Sequence, residues 1–504
     1  MPHLSLLWNK PLAQCADIPE IIPMQTLEDV ILAKDFKRDT LSLMRKPCSP
    51  EEISMRQPVI RMAWENDGFR ELLGEIHEKI RDLSRLLGIL ERSESEEERI
   101  LLFLPVMKKY ARLTESMTKL EKYGTRAGEI GREFASVRQD PIFAEAEKRC
   151  SDLLALRRDG MMLTVSGSNV RAHECSSSLK KKLEEIFRRM DMEEAVPSVK
   201  HPTRATPSVV KGYADVNRGF LEMARSFYNS YRSRFLEGDD GIAQLAGYET
   251  ECAFLLEIGA YFRNLSDMGY PLTCPAVSSE REMILSGLVD ASLAKRGMTG
   301  SEVVPNDVHM EDRGGERLNF YILSGANGGG KTTYLRACTV AALFFVTGCP
   351  VAARSGRMMA FDNIFTHFPA NESFESDGRF ANETARADEI TGLATENSFA
   401  VFNETFSGTD EKKSEEYSAK LASAMADRGV FGIYVTHIHA LTGGKIPTLA
   451  AVIDENDENR RTYKIRRVGG TTSSFAADIL EKYGLDEHSL AEKMKMRKGG
   501  GTDV

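Results

Sequence analysis

The sequence predicts a multidomain chain: a mostly α-helical N-terminal half followed by a C-terminal α/β domain. Three observations carry this. From about Asp35 to Leu288 apolar residues recur at three- and four-residue steps, the spacing of one helix face. After Gly297 short apolar runs ending in Gly, Asn or Thr alternate with amphipathic stretches, the mark of βαβ units on a largely parallel sheet. A length of 504 residues also exceeds one ordinary domain.

Hydrophobic residues make up 42% and charged residues 28%, as in a globular chain able to bury a core. A net charge of −9 excludes a general polyanion-binding surface, so any nucleic-acid contact must come from a local patch. Cysteines 15, 48, 150, 175, 252, 274, 338 and 349 show no CxxC or Cys/His spacing. That pattern argues against a zinc site or a disulfide framework and fits a reducing compartment. The N-terminus lacks the basic start and apolar core of a signal peptide, and no run reaches membrane-spanning length. The expectation is a cytoplasmic, soluble protein with no membrane partner.

Residues 1–40 mix Pro and apolar residues without periodicity and receive no assigned structure. Phe69, Leu72, Leu73, Ile76, Ile80, Leu83, Leu86 and Leu87 mark the buried face of one long helix. Segments near 100–122, 141–157, 178–190, 216–237 and 242–267 repeat the pattern, and Met161–Val165 reads as one short strand. Residues 171–234 hold 13 Lys/Arg against 8 Asp/Glu. This excess reads either as a solvated helix face or as a phosphate-backbone contact surface centred on Lys180, Lys181, Lys182, Arg188 and Arg189. The Gly-rich end, Arg497–Val504, reads as disordered.

The chemistry concentrates in the α/β half. Gly325-Ala326-Asn327-Gly328-Gly329-Gly330-Lys331-Thr332 matches GxxxxGK[ST] in full, follows the apolar run Phe320–Leu323 and opens a helix closed by Gly348. Glycines there let backbone N–H groups curl around phosphates at a helix N-terminus, whose dipole favours an anion. Lys331 would reach the β/γ-phosphates of ATP and the Thr332 hydroxyl would ligate Mg²⁺. A second apolar strand, Ser398–Phe402, ends in Asn403 and Glu404. Glu404 suits polarisation of the attacking water. Asn403, where such enzymes place Asp, can hold a metal-bound water but brings no charge, so slow hydrolysis is expected. A third strand, Val430–Val435, delivers Thr436 and His437 to the carboxyl edge where open α/β sheets bind ligands. His437 is read as a γ-phosphate sensor and His439 as incidental.

These residues resemble the ATPase domain of the MutS family of DNA mismatch repair proteins. Ser324–Thr333 is similar to the family's TGPNxGGKST, so Thr333 joins the loop and Asn327 joins Glu404 and His437 as a catalytic residue by resemblance. Asn403–Thr409 is similar to DEIGRGTS, and Val435–Leu441 to ATHYFEL. Val304–Val308 resembles the segment flanking the nucleotide base, without the family's aromatic. Ser376–Phe380 with Glu383 resembles the loop offered to the partner subunit's ATP. The resemblance thus implies trans-subunit contacts by Gly378, Arg379, Phe380, Ser407, Gly408 and Thr409, with Gly378 where a serine is usual. Ser474–Leu480 and Tyr483-Gly-Leu485 resemble a helical element that clasps the partner.

The resemblance is specific over about 303–490 and weaker at Leu43–Pro47 and Arg56-Gln57, which resemble the start of a core and lever region. The chain is expected to divide into 1–40, a helical core/lever with a short clamp at 41–295, a P-loop NTPase domain of the ABC type at 296–490, and a tail at 491–504. By the same resemblance the core-like region is expected to begin by about residue 40, without the mismatch-reading and connector modules of full-length members. Phe69-Arg-Glu71 fits the mismatch-reading module's Phe-x-Glu wedge only in letters, since Phe69 belongs to a helix's apolar face. The expected protein is an ATP-switched homodimer, associated with the nucleoid and holding DNA through its backbone or an unusual shape. The alternative is an ATP-dependent switch acting on a protein partner; a metabolic kinase is the least supported reading.

Overall fold

The computed structural model describes residues 4–30, 32–156, 161–166, 169–174, 218–237, 241–313, 316–325, 327–368, 376–406, 410–442, 444–453 and 461–468. The chain divides into two compact units, one of residues 1–17 and 66–256, the other of residues 18–65 and 257–504. Residues 18–65 and 257–295, placed by sequence with the N-terminal segment and the helical half, therefore pack in the same unit as the glycine loop.

In chain order the helices are α1 (Met24–Asp29), α2 (Arg38–Met44), α3 (Pro50–Glu65), α4 (Asp67–Glu91), α5 (Glu96–Thr118), α6 (Thr125–Gln139), α7 (Pro141–Leu156), α8 (Arg218–Leu236), α9 (Gly247–Asp267), α10 (Lys331–Val346), α11 (Ser376–Leu393) and α12 (Glu411–Asp427). The strands are β1 (Met161–Ser166), β2 (Asn169–Glu174), β3 (Ala276–Val277), β4 (Glu282–Leu288), β5 (Asn306–Arg313), β6 (Glu316–Leu318), β7 (Phe320–Ser324), β8 (Ser355–Met358), β9 (Ile364–His367), β10 (Phe399–Asn403), β11 (Phe431–Val435), β12 (Thr448–Ile453) and β13 (Arg461–Arg467).

Among the described residues the first unit is helical with one antiparallel hairpin, β1–β2. Helix α4 starts because the Asn66 side chain accepts the Phe69 N–H, and it buries all eight residues of the apolar stripe read from the sequence. Helix α5 starts at Ser95, which accepts the Glu98 N–H in a Ser-x-x-Glu box. Helix α6 is absent from the sequence reading because Gly128 and Gly131 weaken its propensity. They are there for contact: a Cβ on Gly131 would lie 2.2 Å from the Glu121 nitrogen, in the 3₁₀ turn Lys119–Tyr123. The N-terminal segment is tied down by the buried Glu251, whose carboxylate accepts the Leu6 N–H at 2.8 Å and the Ser5 hydroxyl.

The second unit holds two sheets. One runs in the order β13-β12-β7-β11-β10-β9, parallel except for the edge strand β13. Strands β7, β9, β10 and β11 are buried at every position, as expected where helices cover both faces. The other sheet has the order β3-β8-β4-β5-β6. Its strand β4 lies inside the stretch read as helical. Its residues bury in near-alternation and pair antiparallel with β5 and β8, so the sheet neighbours override a three-residue spacing. Arg56 of α3, fully buried, donates to Thr347 O at the end of α10.

Of the remaining expectations, the helix near 178–190, the elements at Ser474–Leu480 and Tyr483–Leu485 and the tail 497–504 lie outside the described residues. No described helix is long and apolar enough to cross a membrane.

Candidate functional site

The glycine loop joins β7 to α10 as its sequence requires. Gly325, Gly328 and Gly330 adopt φ of 125°, 73° and 90°, where an L side chain is strained. Gly325 has a second constraint, because a Cβ there would meet the Ala451 nitrogen at 3.1 Å. Lys331 is only 5% exposed, and its Nζ donates to Gly325 O at 2.7 Å, spanning the loop from end to start. Burial lowers the Lys331 pKa, the Glu404 carboxylate raises it and Arg461 lowers it, so these charges act on one another across the site. Thr332 and Thr333 are half-buried, and Asn327 is exposed. Ala326 lies outside the described residues.

Strands β10 and β11 bring their polar ends to the same edge. The buried Asn403 has its Oδ1 without a hydrogen-bond partner among the described groups. An orphaned buried acceptor is costly unless something outside the chain satisfies it. A metal-bound water would, so Asn403 fits the water-mediated role expected of it toward Mg²⁺, with the Thr332 hydroxyl as the expected direct ligand. No group of three or more His, Cys, Asp or Glu able to hold a metal by itself occurs among the described residues. Glu404 follows in a left-handed conformation, φ 52°, with its N–H donating to Val435 O at 3.0 Å. His437 Nε2 lies 2.6 Å from Glu404 Oε1.

The third wall is made by β5 and β13. The Asn306 side chain donates to Tyr463 O at 3.0 Å and accepts the Ile465 N–H at 2.8 Å. Next to it lies a pocket of about 300 Å³ whose walls include Asp307, His309, Tyr321, Tyr334 and Arg466. Tyr463, 49% exposed at φ 55°, stands over the loop, with its ring 3.4 Å from where a Cβ on Gly330 would be. Sequence reasoning missed Tyr463; an aromatic between basic residues on a strand next to this loop was the available signal.

Helix α11 carries Gly378 and Arg379 in its first turn, their side chains outside the described ones. Phe380 packs within its own chain, 5.9 Å from the Phe406 ring and 5.2 Å edge-on to Tyr417. Glu383, read with the trans-acting loop, is buried and accepts the Phe406 N–H. His367, also missed, is 1% exposed and bonds the Glu383 carbonyl. Its signal was a polar residue at the end of an apolar strand, as at Asn403. Ser407, Gly408, Thr409, Lys180, Lys181, Lys182, Arg188 and Arg189 lie outside the described residues. Phe69 is fully buried against the Tyr123 ring at 4.9 Å, as its helix periodicity predicted.

A mixed helical and α/β chain with this loop and these strand ends belongs to a definable class. Residues 321–492 match the family model for MutS domain V. Over that region the chain is similar to MutS-family proteins. It is 27% identical over 240 residues to an endonuclease MutS2 of Lactococcus lactis, covering 46% of this chain and 29% of the relative. It is 25% identical over 213 residues to a DNA mismatch repair protein MutS of Lactobacillus acidophilus, covering 41% and 24%. A MutS2 endonuclease of Clostridium botulinum is 26% identical over 256 residues, covering 49% and 31%. The matched stretch thus spans about a quarter to a third of these relatives.

Proposed function

We propose that the chain binds ATP at Gly325–Thr333, hydrolyses it to ADP and phosphate, and uses the bound nucleotide to switch a homodimer that holds DNA. The observation that carries this is the convergence of Lys331, Asn403, Glu404 and His437 on one strand edge beside a left-handed glycine loop. Loop N–H groups and the α10 N-terminus bind the phosphates. Lys331 exchanges its bond to Gly325 O for phosphate oxygens, a charge-assisted bond in a water-poor site. Mg²⁺, held by Thr332 and through water by Asn403, would offset charge on the β/γ-phosphates. Glu404 takes the proton of the attacking water, and His437 holds Glu404 Oε1 while facing the γ-phosphate. Asn327 closes the loop over the phosphates. The base lies toward the Asp307–His309 pocket, with Tyr463 beside it.

Relatives named for mismatch repair and for endonuclease activity support a DNA role. Backbone or structure-specific contact is the form proposed, with Lys180, Lys181, Lys182, Arg188 and Arg189 as the contact patch and α11 with Ser407–Thr409 meeting the partner subunit's nucleotide. The net charge of −9 favours the second reading, an ATP-dependent switch on a protein partner. A titration of the full chain with linear, mismatched and branched DNA, with and without ATP at two salt concentrations, separates them. Binding that needs ATP and weakens steeply with salt supports the DNA reading. No binding at low salt in any nucleotide state overturns it, and ATP binding abolished by Lys331→Ala is the parallel check on the nucleotide site.

A further inference from the structure

The turn that presents Glu404 is unusual in its backbone. Glu404 and Phe406, neither a glycine, both adopt left-handed conformations, φ 52° and 67°. Such a turn persists only where its surroundings over-determine it. Here each residue is held. The Glu404 N–H donates to Val435 O at 3.0 Å, and the Phe406 N–H donates to Glu383 Oε2 at 3.0 Å. Tyr434 donates its hydroxyl to Thr405 O at 3.1 Å. His367 Nε2 lies 3.1 Å from Glu383 O, and its Nδ1 lies 3.2 Å from Thr405 Oγ1. A carbonyl only accepts, so Nε2 carries the proton and the Thr405 hydroxyl donates to Nδ1. One acidic residue, 6% exposed on α11, thus touches the strained N–H through its carboxylate and, through its backbone carbonyl, the imidazole that holds the residue between.

We propose that Glu383 is a positioning residue for ATP hydrolysis: its buried carboxylate fixes the Glu404–Phe406 turn and so aims the Glu404 carboxylate at the attacking water. The inference rests on Glu404 being the general base. The role assigned to Glu383 lies in the turn and not in phosphate binding, so its removal should slow the chemical step and leave ATP affinity alone. A carboxylate that merely filled the core would show no such split.

The test compares full-length wild type, Glu383→Ala and Glu383→Gln by steady-state phosphate release, by calorimetric ATP binding and by thermal melting. Glu383→Ala is expected to lower kcat roughly 10- to 100-fold, the scale of a misplaced catalytic group, with the ATP Kd changed less than about twofold. Glu383→Gln keeps an oxygen for the Phe406 N–H and should restore most of the loss. An unchanged kcat in Glu383→Ala overturns the proposal, as does a Kd that weakens in step with kcat or a Gln variant no better than Ala. Should Glu383→Ala fail to show a melting transition, Glu383→Leu carries the test, because it keeps the buried bulk and offers the Phe406 N–H no acceptor. A lowered kcat with unchanged Kd then upholds the proposal and an unchanged kcat overturns it. Wild type that binds ATP without releasing phosphate is a separate outcome, sinking the hydrolysis reading and this role together.

Discussion

His437 Nε2 and Glu404 Oε1, 33 residues apart in the chain, lie 2.6 Å from each other and join the carboxyl ends of two adjacent parallel strands. The contact fixes one carboxylate oxygen; the proposed role for Glu404 uses the other on a water molecule. Replacing Glu404 by Gln is expected to lower kcat for ATP by roughly 10²–10⁴, the range for a lost general base, with ATP binding retained. His437→Ala should give a smaller fall in kcat, since the base remains. Phosphate release and nucleotide titration on the same preparations check both. A Glu404→Gln protein that turns over at the wild-type rate would remove Glu404 from the mechanism.

Among the described residues Asn403 Oδ1 is buried without a partner, at the position where such enzymes place a carboxylate. Asn403→Asp adds a negative charge at the carboxyl end of β10, and ligand charge sets affinity for hard cations. The Mg²⁺ concentration for half-maximal hydrolysis is expected to fall on the order of tenfold. A magnesium titration of phosphate release decides it. A higher requirement in the Asp variant would mean that the amide contacts something else.

Burial first, and then the Arg386 charge, hold His367 below the ordinary imidazole value of 6.5. The unfolded chain takes up a proton near 6.5 while the folded chain resists it. Stability from this group is therefore complete above that pH and lost as pH falls toward the lower folded value. Urea midpoints should drop between about pH 7.5 and about pH 5.5, and drop less in His367→Gln, which keeps a donor for Glu383 O but cannot titrate there. Equal pH slopes in the two proteins would contradict the assignment.

Two glycines in helices should respond to alanine with opposite signs. A Cβ at Gly74 meets nothing within 4 Å, so Gly74→Ala is expected to stabilise by about 0.5–1 kcal/mol through helix propensity. A Cβ at Gly131 would lie 2.2 Å from the Glu121 backbone. Gly131→Ala should destabilise by about 1–3 kcal/mol, as overpacking does. Melting curves of the two variants give the answer, and a stabilised Gly131→Ala would show that α6 does not pack on the Lys119–Tyr123 turn.

The sequence by itself determined what depends on near neighbours. The apolar stripe from Phe69 to Leu87 specified α4, because a 3.6-residue period has one amphipathic solution. Gly325–Thr332 specified the turn between β7 and α10, because only glycines take the required positive φ. The strands ending in Asn403 and Val435 were equally legible as short apolar runs closed by polar residues. Tertiary structure decided whatever depends on a distant partner. It made α6 a helix despite its glycines, turned Glu282–Leu288 into a strand by pairing it with β5 and β8, and drew residues 18–65 into the unit with the glycine loop. It also turned Glu383 inward to Phe406 and set His367 beneath Thr405. Periodicity and glycine content are local properties and can be read along a chain, whereas burying a carboxylate or seating a strained turn needs groups that only folding brings together.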